Sequence, residues 1–272
     1  MEKTIYKSPL NFTGAKHKLM PVLLEHFPKD VETFYDVFAG GLSVTVNCEY
    51  DNIVANDVIE PLIEFYKEFQ YYLSDDRFIN VIKSYAIPKD KQDDYNLVRS
   101  EFNETGNPFL FFALVSSCTN NMMRFNKKMK FNQSFGRRTV NKSTIAKLRD
   151  YHRIIKYEKN IRFTNLDYVK FLTEENPGPG DFVYLDPPYL NTDPGYGTYR
   201  LWHNELMLYS MLEMLDANGV RFVMSNVREH DGKINPYLDK LKRYKIIDLD
   251  FDYEKVAKKK GKGTKEIIVK NF

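Results

Sequence analysis

Four consecutive residues after an apolar, strand-like run carry the strongest chemical signal in the sequence. Asp186, Pro187, Pro188 and Tyr189 directly follow FVYL. Two prolines in series fix φ twice and leave two positions without a backbone N–H, so this DPPY tetrapeptide (residues 186–189) is stiff. Asp186 and the Pro187 carbonyl can each accept one hydrogen of an exocyclic amine, and Tyr189 can stack on the ring that bears it. The four together predict a site for a planar, amine-bearing group, whereas any one alone would predict only a turn.

A second candidate site lies in DVFAGGL, which contains Asp36, Phe38 and Gly40. Glycines after a first strand let a ligand approach the backbone closely. The segment is not GxGxxG, so a dinucleotide site is a poor match. Asp57 ends the next predicted strand, roughly 20 residues after Asp36, where an acidic residue is placed to bind ribose hydroxyls. The pattern predicts a nucleoside-type cofactor.

The elements that must position these motifs alternate along the chain. We predict helices over residues 14–27, with Pro21 as a break, and over residues 42–50. Strand predictions are the runs TFYDVF, NIVAN, IRFTN, DFVYLD, GVRFVMSN, YKIIDLDF and EIIVKNF. Strand–helix–strand units of this kind predict an α/β fold with a mostly parallel sheet, whose ligands bind at the carboxyl ends of the strands.

The middle of the chain differs in character from the regions around it. LIEFYKEF, FINVIKSY and FLFFALV predict helices, and the basic stretch that follows (residues 119–149) has nine Lys and Arg and no Asp or Glu. Within it, MRFNKKMKFNQSF predicts a hairpin or a long ordered loop. Further lysines crowd residues 255–265. We expect a catalytic unit over residues 1–60 and 150–272, with an insertion over residues 61–149 that binds a polyanion. A solvated basic surface is the alternative.

Composition excludes several other classes of protein. Of the 272 residues, 43% are hydrophobic and 28% are charged, which is typical of a globular chain. No apolar run is long enough to cross a membrane, and no secretory signal is expected. The two cysteines and five histidines show no metal-ligand spacing. We therefore expect a cytoplasmic protein without a metal and, in solution, a monomer.

In this order, the segments resemble the DNA adenine-N6 methyltransferase (Dam) family of the α-group, and most closely its phage-type members. The resemblance runs nearly end to end. It is carried by NFTGAK, FAGGLSV, AND, NMMRFN, FGRRTVNK, DPPY and SNVREHDGK. It implies a Rossmann-like, mostly parallel, seven-stranded methyltransferase sheet with an inserted helical target-recognition domain that carries a β-hairpin.

The family's activity is implied in the same way: methyl transfer from S-adenosylmethionine to N6 of an adenine flipped out of duplex DNA, within GATC, without a metal. By the resemblance, residues 186–189 are catalytic. The expected cofactor-binding residues are Phe12, Lys16, Asp36, Phe38, Gly40, Asp57 and Asp186. The expected DNA-binding residues are Arg124, Asn126, Lys128, Lys130, Arg137 and Arg138. Ser134 and Lys130 depart from close relatives near the DNA face, which bears on the exact target sequence.

Several readings stay open at this level. DPPY is shared with some N4-cytosine enzymes, so an N4-cytosine or RNA amino-methyltransferase on the same scaffold is an alternative. A DNA-binding module without catalytic activity is another. Arg124 is expected to read guanine, with a plain phosphate contact as its alternative. Residues 190–203 have the composition of a loop over the site or of a simple linker.

Overall fold

The computed structural model describes residues 4–10, 16–189, 204–249 and 263–272. Within these ranges the strands belong to one mixed sheet, with helices on both faces. The strands are β1 (Phe34–Asp36), β2 (Asn52–Asn56), β3 (Asn160–Thr164), β4 (Phe182–Leu185), β5 (Arg221–His230), β6 (Lys233–Ile234), β7 (Lys245–Asp248) and β8 (Thr264–Lys270). The helices are α1 (Met20–Leu24), α2 (Ser43–Asn47), α3 (Glu60–Tyr71), α4 (Asp75–Ser84), α5 (Gln92–Thr105), α6 (Pro108–Ser117), α7 (Lys142–Arg153), α8 (Tyr168–Glu175) and α9 (Glu205–Ala217).

From β1 the chain adds strands first toward one edge of the sheet and then toward the other, so its winding reverses at the centre of the sheet. The order is β3-β2-β1-β4-β5-β8-β7, and β6 pairs with β5 outside this path. The first five strands run parallel, while β8 is antiparallel to both β5 and β7. Winding reverses between β1 and β4, and ligands of open α/β sheets bind in the crevice at such a point. The sheet has one strand more than the predicted seven, the two-residue β6.

Side chains of the central strands alternate between two hydrophobic clusters. Phe34 of β1 and Phe182 of β4 belong to the cluster that includes α3 and α6. Tyr35 and Val183, their neighbours along the chain, belong to the cluster that includes α8 and α9. Because both faces are covered, the parallel strands are apolar throughout rather than alternating. This burial holds the carboxyl ends of β1 and β4 in a fixed relation.

The helices of the middle segment pack into the first of these clusters and carry the basic stretch. Two isolated bridges, Cys118 with Phe135 and Phe125 with Phe131, close the predicted hairpin, so its ladder is shorter than expected. Gly136 lies where a Cβ atom would come within 2.3 Å of the Cys118 carbonyl oxygen. Only glycine allows the returning strand to approach the end of α6 this closely.

The N-terminal helix predicted over residues 14–27 is wrong in its extent. In the described residues it is a 3-10 turn, Lys16–Lys18, followed by the short α1. Pro21 lies in the first turn of α1, where its missing N–H costs no hydrogen bond, so it begins a helix rather than breaking one. No helix in the described part of the chain is long and apolar enough to span a membrane.

Candidate active site

The DPPY tetrapeptide directly follows β4, which lies beside β1 at the winding reversal. Asp186 is the first residue after Leu185, the end of β4. Backbone pairing fixes the position of this strand end, since the Val37 amide donates to the Tyr184 carbonyl at 3.0 Å. The tetrapeptide therefore lies at the carboxyl edge of the sheet, as the sequence predicted.

Lys16 lies against the tetrapeptide. Its Nζ is 2.9 Å from Asp186 Oδ1 and 4.8 Å from the centroid of the Tyr189 ring. The lysine is only 5% exposed, while the Asp186 side chain is 20% exposed, so the ammonium is shielded from water and the carboxylate is partly open. A buried ammonium needs a paired carboxylate, and Asp186 supplies it. Phe12, predicted to act beside Lys16, lies outside the described residues.

The charges of this pair depend on their burial and on each other. Burial raises the pKa of Asp186, while the Lys16 charge and hydrogen bonds with Lys16 and Tyr189 lower it; the net direction is upward. Burial alone would lower the pKa of Lys16. The negative charges around it, first that of Asp186, outweigh burial and hold its pKa above the usual value. The pair therefore forms a buried, mutually dependent couple.

Two buried side chains behind the pair were not singled out from the sequence. The Tyr184 hydroxyl is 2.7 Å from Ser225 Oγ, and burial raises the pKa of Tyr184 well above its usual value. Glu266, on β8, contributes to the raised pKa of Lys16. The strand period of two could have identified Tyr184, since it shares a face with Asp186. Glu266 had no local signal, because β8 reaches the site only through long-range pairing.

Asp57 holds the glycine loop (residues 37–42) to the end of β2. Its Oδ2 accepts from the Gly40 amide at 2.9 Å, and its Oδ1 accepts from the Ile59 amide at 3.0 Å. Gly40 has φ +46°, a conformation that favours glycine. A carboxylate oxygen has two lone pairs, so each oxygen keeps acceptor capacity for a ligand hydroxyl. The sequence predicted the glycine motif and Asp57 as parts of one cofactor site, and in the structure the two are in direct contact.

Two tyrosines from the helical segment hold the same loop from the other side. The Tyr66 hydroxyl of α3 donates to the Gly40 carbonyl at 2.6 Å, and the Tyr151 hydroxyl of α7 donates to the Gly41 carbonyl at 3.1 Å. Both tyrosines are fully buried. Helix α7, which begins within the basic stretch, therefore contacts the backbone of the glycine loop directly, as does α3.

Asp36 lies at the floor of the same edge, 1% exposed, and accepts from Thr45 Oγ1 at 2.7 Å. Burial raises its pKa to about 7, with smaller upward contributions from the charges of Asp186 and Asp57. Burial also raises the pKa of Asp57, to about 6, against backbone hydrogen bonds that lower it. Three carboxyls and one ammonium thus surround this edge. Such a donor set fits a ligand that has hydroxyls and a positive charge.

Phe38 lies at this edge as well, and its ring centroid is 5.5 Å from that of Tyr168. It is half-buried, so part of its ring can contact a ligand. Among the described residues, no group of three or more His, Cys, Asp or Glu side chains could hold a metal ion.

Five of the six predicted DNA-binding side chains are exposed on the basic stretch: Arg124, Lys128, Lys130, Arg137 and Arg138. Asn126 is half-buried, and its Oδ1 accepts from the Lys128 and Lys130 amides at 2.9 and 3.1 Å. Its amide oxygen therefore shapes the hairpin tip. The structure does not test which of these residues contact DNA, and their assignment stays a prediction.

The strand order, the glycine loop after β1 and the tetrapeptide after β4 define a Rossmann-like methyltransferase fold. The model of the D12 class N6 adenine-specific DNA methyltransferases matches residues 12–255. The chain belongs to this family.

Curated relatives agree with that membership. The chain is 31% identical over 284 residues to modification methylase StsI of Streptococcus sanguinis, and 29% identical over 283 residues to the type II methyltransferase M.FokI of Planomicrobium okeanokoites. These matches cover 99% and 98% of this chain but only 43% of each relative. A DNA N-6-adenine-methyltransferase of Escherichia phage P1 is 25% identical over 236 residues, covering 83% of this chain and 30% of that protein. The chain thus spans less than half the length of these relatives.

Proposed function

We propose that this protein transfers a methyl group from S-adenosylmethionine to N6 of an adenine in duplex DNA. One observation carries the proposal: the Asp186 carboxylate, at the winding reversal of the sheet, begins a rigid tetrapeptide and is paired with a buried ammonium. This is an acceptor for amine hydrogens placed where a nucleoside-type ligand would bind. Family membership favours adenine over other amines.

The acidic strand ends would hold the cofactor. Asp57 would bind ribose hydroxyls, and Asp36 and Asp186 would favour its positive charge. Phe38 offers an apolar face beside them. When bound, S-adenosylmethionine supplies an electrophilic methyl group on a sulfonium sulfur. The protein needs to add only position and charge, and this geometric preorganisation is itself a large catalytic effect.

The tetrapeptide would activate the adenine amine. Its lone pair is delocalised into the ring, which makes the nitrogen a poor nucleophile. The two N–H groups of the amine would donate hydrogen bonds to the Asp186 carboxylate and to the Pro187 carbonyl. These hydrogen bonds draw the nitrogen toward a tetrahedral geometry. The lone pair then points out of the ring plane. As the nitrogen gains the methyl group, S-adenosylhomocysteine would be the leaving group and the amine would release one proton, which Asp186 would take up or relay. Asp186 must be ionised to accept, which Lys16 favours.

The amine is inaccessible within a base-paired stack, so the base must leave the helix at a cost of a few kcal/mol. Stacking on Tyr189 would offset roughly 1–3 kcal/mol of that cost. Phosphate contacts from the basic stretch would supply affinity that falls steeply with salt. We propose GATC as the target, from the resemblance to Dam enzymes, and a modification role like that named for the bacterial relatives.

The proposal is tested by incubating a random-sequence duplex library with the protein and S-adenosylmethionine, then digesting it to nucleosides. We expect N6-methyladenine. Asp186→Asn should lower the rate by about 10²–10⁴-fold, the range for loss of a positioned proton acceptor. Asp51→Asn, a change at an exposed carboxylate away from this edge, is the matched control and should react normally.

Two outcomes would overturn the proposal. N4-methylcytosine without N6-methyladenine would identify the cytosine alternative. DNA binding with no heat of S-adenosylmethionine binding in titration calorimetry would identify a DNA-binding module. Mapping the modified adenines in the same library decides whether the target is GATC.

A further inference from the structure

A cavity of about 340 Å³ lies between the basic stretch and the end of α6, away from the DPPY tetrapeptide. Lys89 enters from the α4–α5 connection, Arg137 and Arg138 from the chain after the hairpin, and Lys147 from α7. None of the residues that line it, all within the described part of the chain, is acidic. Four basic side chains from three separate segments thus converge on one concave surface.

At the Lys147 side of this cavity, neighbouring basic groups repel one another. Burial lowers the pKa of Lys147, and repulsion by Lys7 lowers it further. His17 has a lowered pKa from burial and from the charges of Lys7, Lys18 and Lys147. A bound anion offsets the repulsion between neighbouring cations, because it interacts favourably with all of them at once.

The polar floor of the cavity is also suited to an anion. Asn141, the N-cap residue of α7, and Thr144 in its first turn line it. The Asn141 Oδ1 accepts from the Thr144 amide, and the positive end of this 12-residue helix favours negative charge. Arg138 is held by Asn121. Arg137 has φ +54°, a conformation that bulky residues adopt only when their surroundings impose it.

We propose that this basic cavity binds a backbone phosphate of the DNA duplex, outside the base pairs that the hairpin reads. The inference rests on the proposed function, since it takes duplex DNA as the ligand. Arg137 and Arg138 were expected at DNA, whereas Lys89 and Lys147 add two contacts from outside the hairpin. Their role is to fix the register of the duplex, because phosphate contacts position a protein without reading sequence.

Chain geometry limits how far this phosphate lies from the methylated base. Leu10 lines the cavity and Lys16 lies against Asp186. Five residues lie between them along the chain, which makes six Cα–Cα steps, so their Cα atoms are at most about 22 Å apart. At 3.4 Å per base pair this is roughly six base pairs. The contacted phosphate should therefore fall within about that distance of the target adenine.

Binding of the intact protein to a short methylatable duplex tests the proposal. Lys89→Gln and the double variant K89Q/K147Q should weaken binding and lower the slope of log affinity against log salt, the double by roughly 1. Lys240→Gln, at an exposed lysine of the Leu238–Leu241 turn, is the control and should keep the slope. Lys89 is itself exposed, so its variant should fold normally.

Methylphosphonate replacement of single phosphates then locates the contact. We expect one or two positions within six base pairs of the adenine at which neutralisation weakens the wild type but not K89Q/K147Q. Either of two results would overturn the proposal. One is an unchanged salt slope in the double variant; the other is that, at every methylphosphonate position, the loss of DNA affinity adds to the loss caused by the double substitution. If methylation proceeds while these binding results fail, only this inference falls. If N6-methyladenine is absent, the proposed function falls, whatever the salt slope.

Discussion

The Lys16 ammonium lies 2.9 Å from Asp186 Oδ1 and over the ring of Tyr189, so one buried cation contacts both functional side chains of the DPPY tetrapeptide. Removal of either member of such a pair leaves the other charge buried and uncompensated. Lys16 thus favours the ionised form of the carboxylate to which the proposed function assigns the amine hydrogen bond.

Lys16→Met should shift the pH dependence of methylation. Without the ammonium, the pKa of Asp186, already raised by burial, rises further. We expect the acidic limb of kcat/KM to move to higher pH by roughly 1–3 units, the range for loss of an adjacent opposite charge. Lys16→Arg keeps the charge and should restore most of the limb. An unmoved limb in Lys16→Met, in protein that binds DNA normally, would contradict this role.

Asp36→Asn should stabilise the free protein in a pH-dependent way. The pKa of Asp36 is about 7 in the fold and 3.8 without it. A raised carboxyl pKa costs stability as pH rises from about 4 to about 7, because the unfolded chain ionises first. The gain in unfolding free energy should therefore be absent near pH 4 and reach at most about 4 kcal/mol above pH 7. Urea unfolding at several pH values measures it. Equal gains at all pH values would contradict the assignment, and Asp51→Asn should show none.

The same group should make cofactor preference depend on pH. S-adenosylmethionine has a positive sulfonium charge that S-adenosylhomocysteine lacks. Protonation of Asp36 removes a negative charge that attracts this sulfonium. Loss of this attraction weakens binding of S-adenosylmethionine but not of S-adenosylhomocysteine, so the ratio of the two affinities should fall from pH 8 to pH 6. Titration calorimetry with both ligands measures the ratio. In Asp36→Asn the ratio should vary less; an undiminished fall there would exclude Asp36 as the cause.

Arg124→Ala should separate base reading from phosphate contact. Arg124 is exposed on the hairpin. If it reads guanine, the variant loses about 1–3 kcal/mol of discrimination at one base pair. Duplexes with a changed base at that position should then be methylated as fast as the unchanged duplex. If it contacts phosphate, affinity falls evenly across sequences and the salt slope drops by roughly 1. Methylation rates on duplexes with single-base changes, at two salt concentrations, give the answer. We expect the first result.

Local pattern identified the strands and motifs that build the site. The run before Asp186 predicted β4, and the strand–helix–strand pattern around residues 33–57 predicted a parallel sheet, both of which the structure confirms. These features depend on short continuous apolar runs and on turn chemistry, which neighbouring residues encode. Their proximity follows from parallel pairing, because parallel strands end at the same edge.

Local sequence patterns could not predict contacts between segments that are far apart along the chain. No local pattern indicates that β8 inserts between β5 and β7, so the approach of Glu266 to Lys16 could not be found. The pairing of Lys16 with Asp186 depends on the tertiary fold in the same way. Asn126 shows another limit: a residue type suited to base reading also caps turns, and here its oxygen accepts two backbone amides.

The phenol groups of Tyr66 on α3 and Tyr151 on α7 donate to successive carbonyls of the glycine loop. In the proposed function, a shift of either helix on DNA binding would move this loop, and with it the cofactor site, through two buried contacts. The affinities for DNA and for the cofactor would then depend on each other, and thermodynamic reciprocity requires the effect to be equal in both directions.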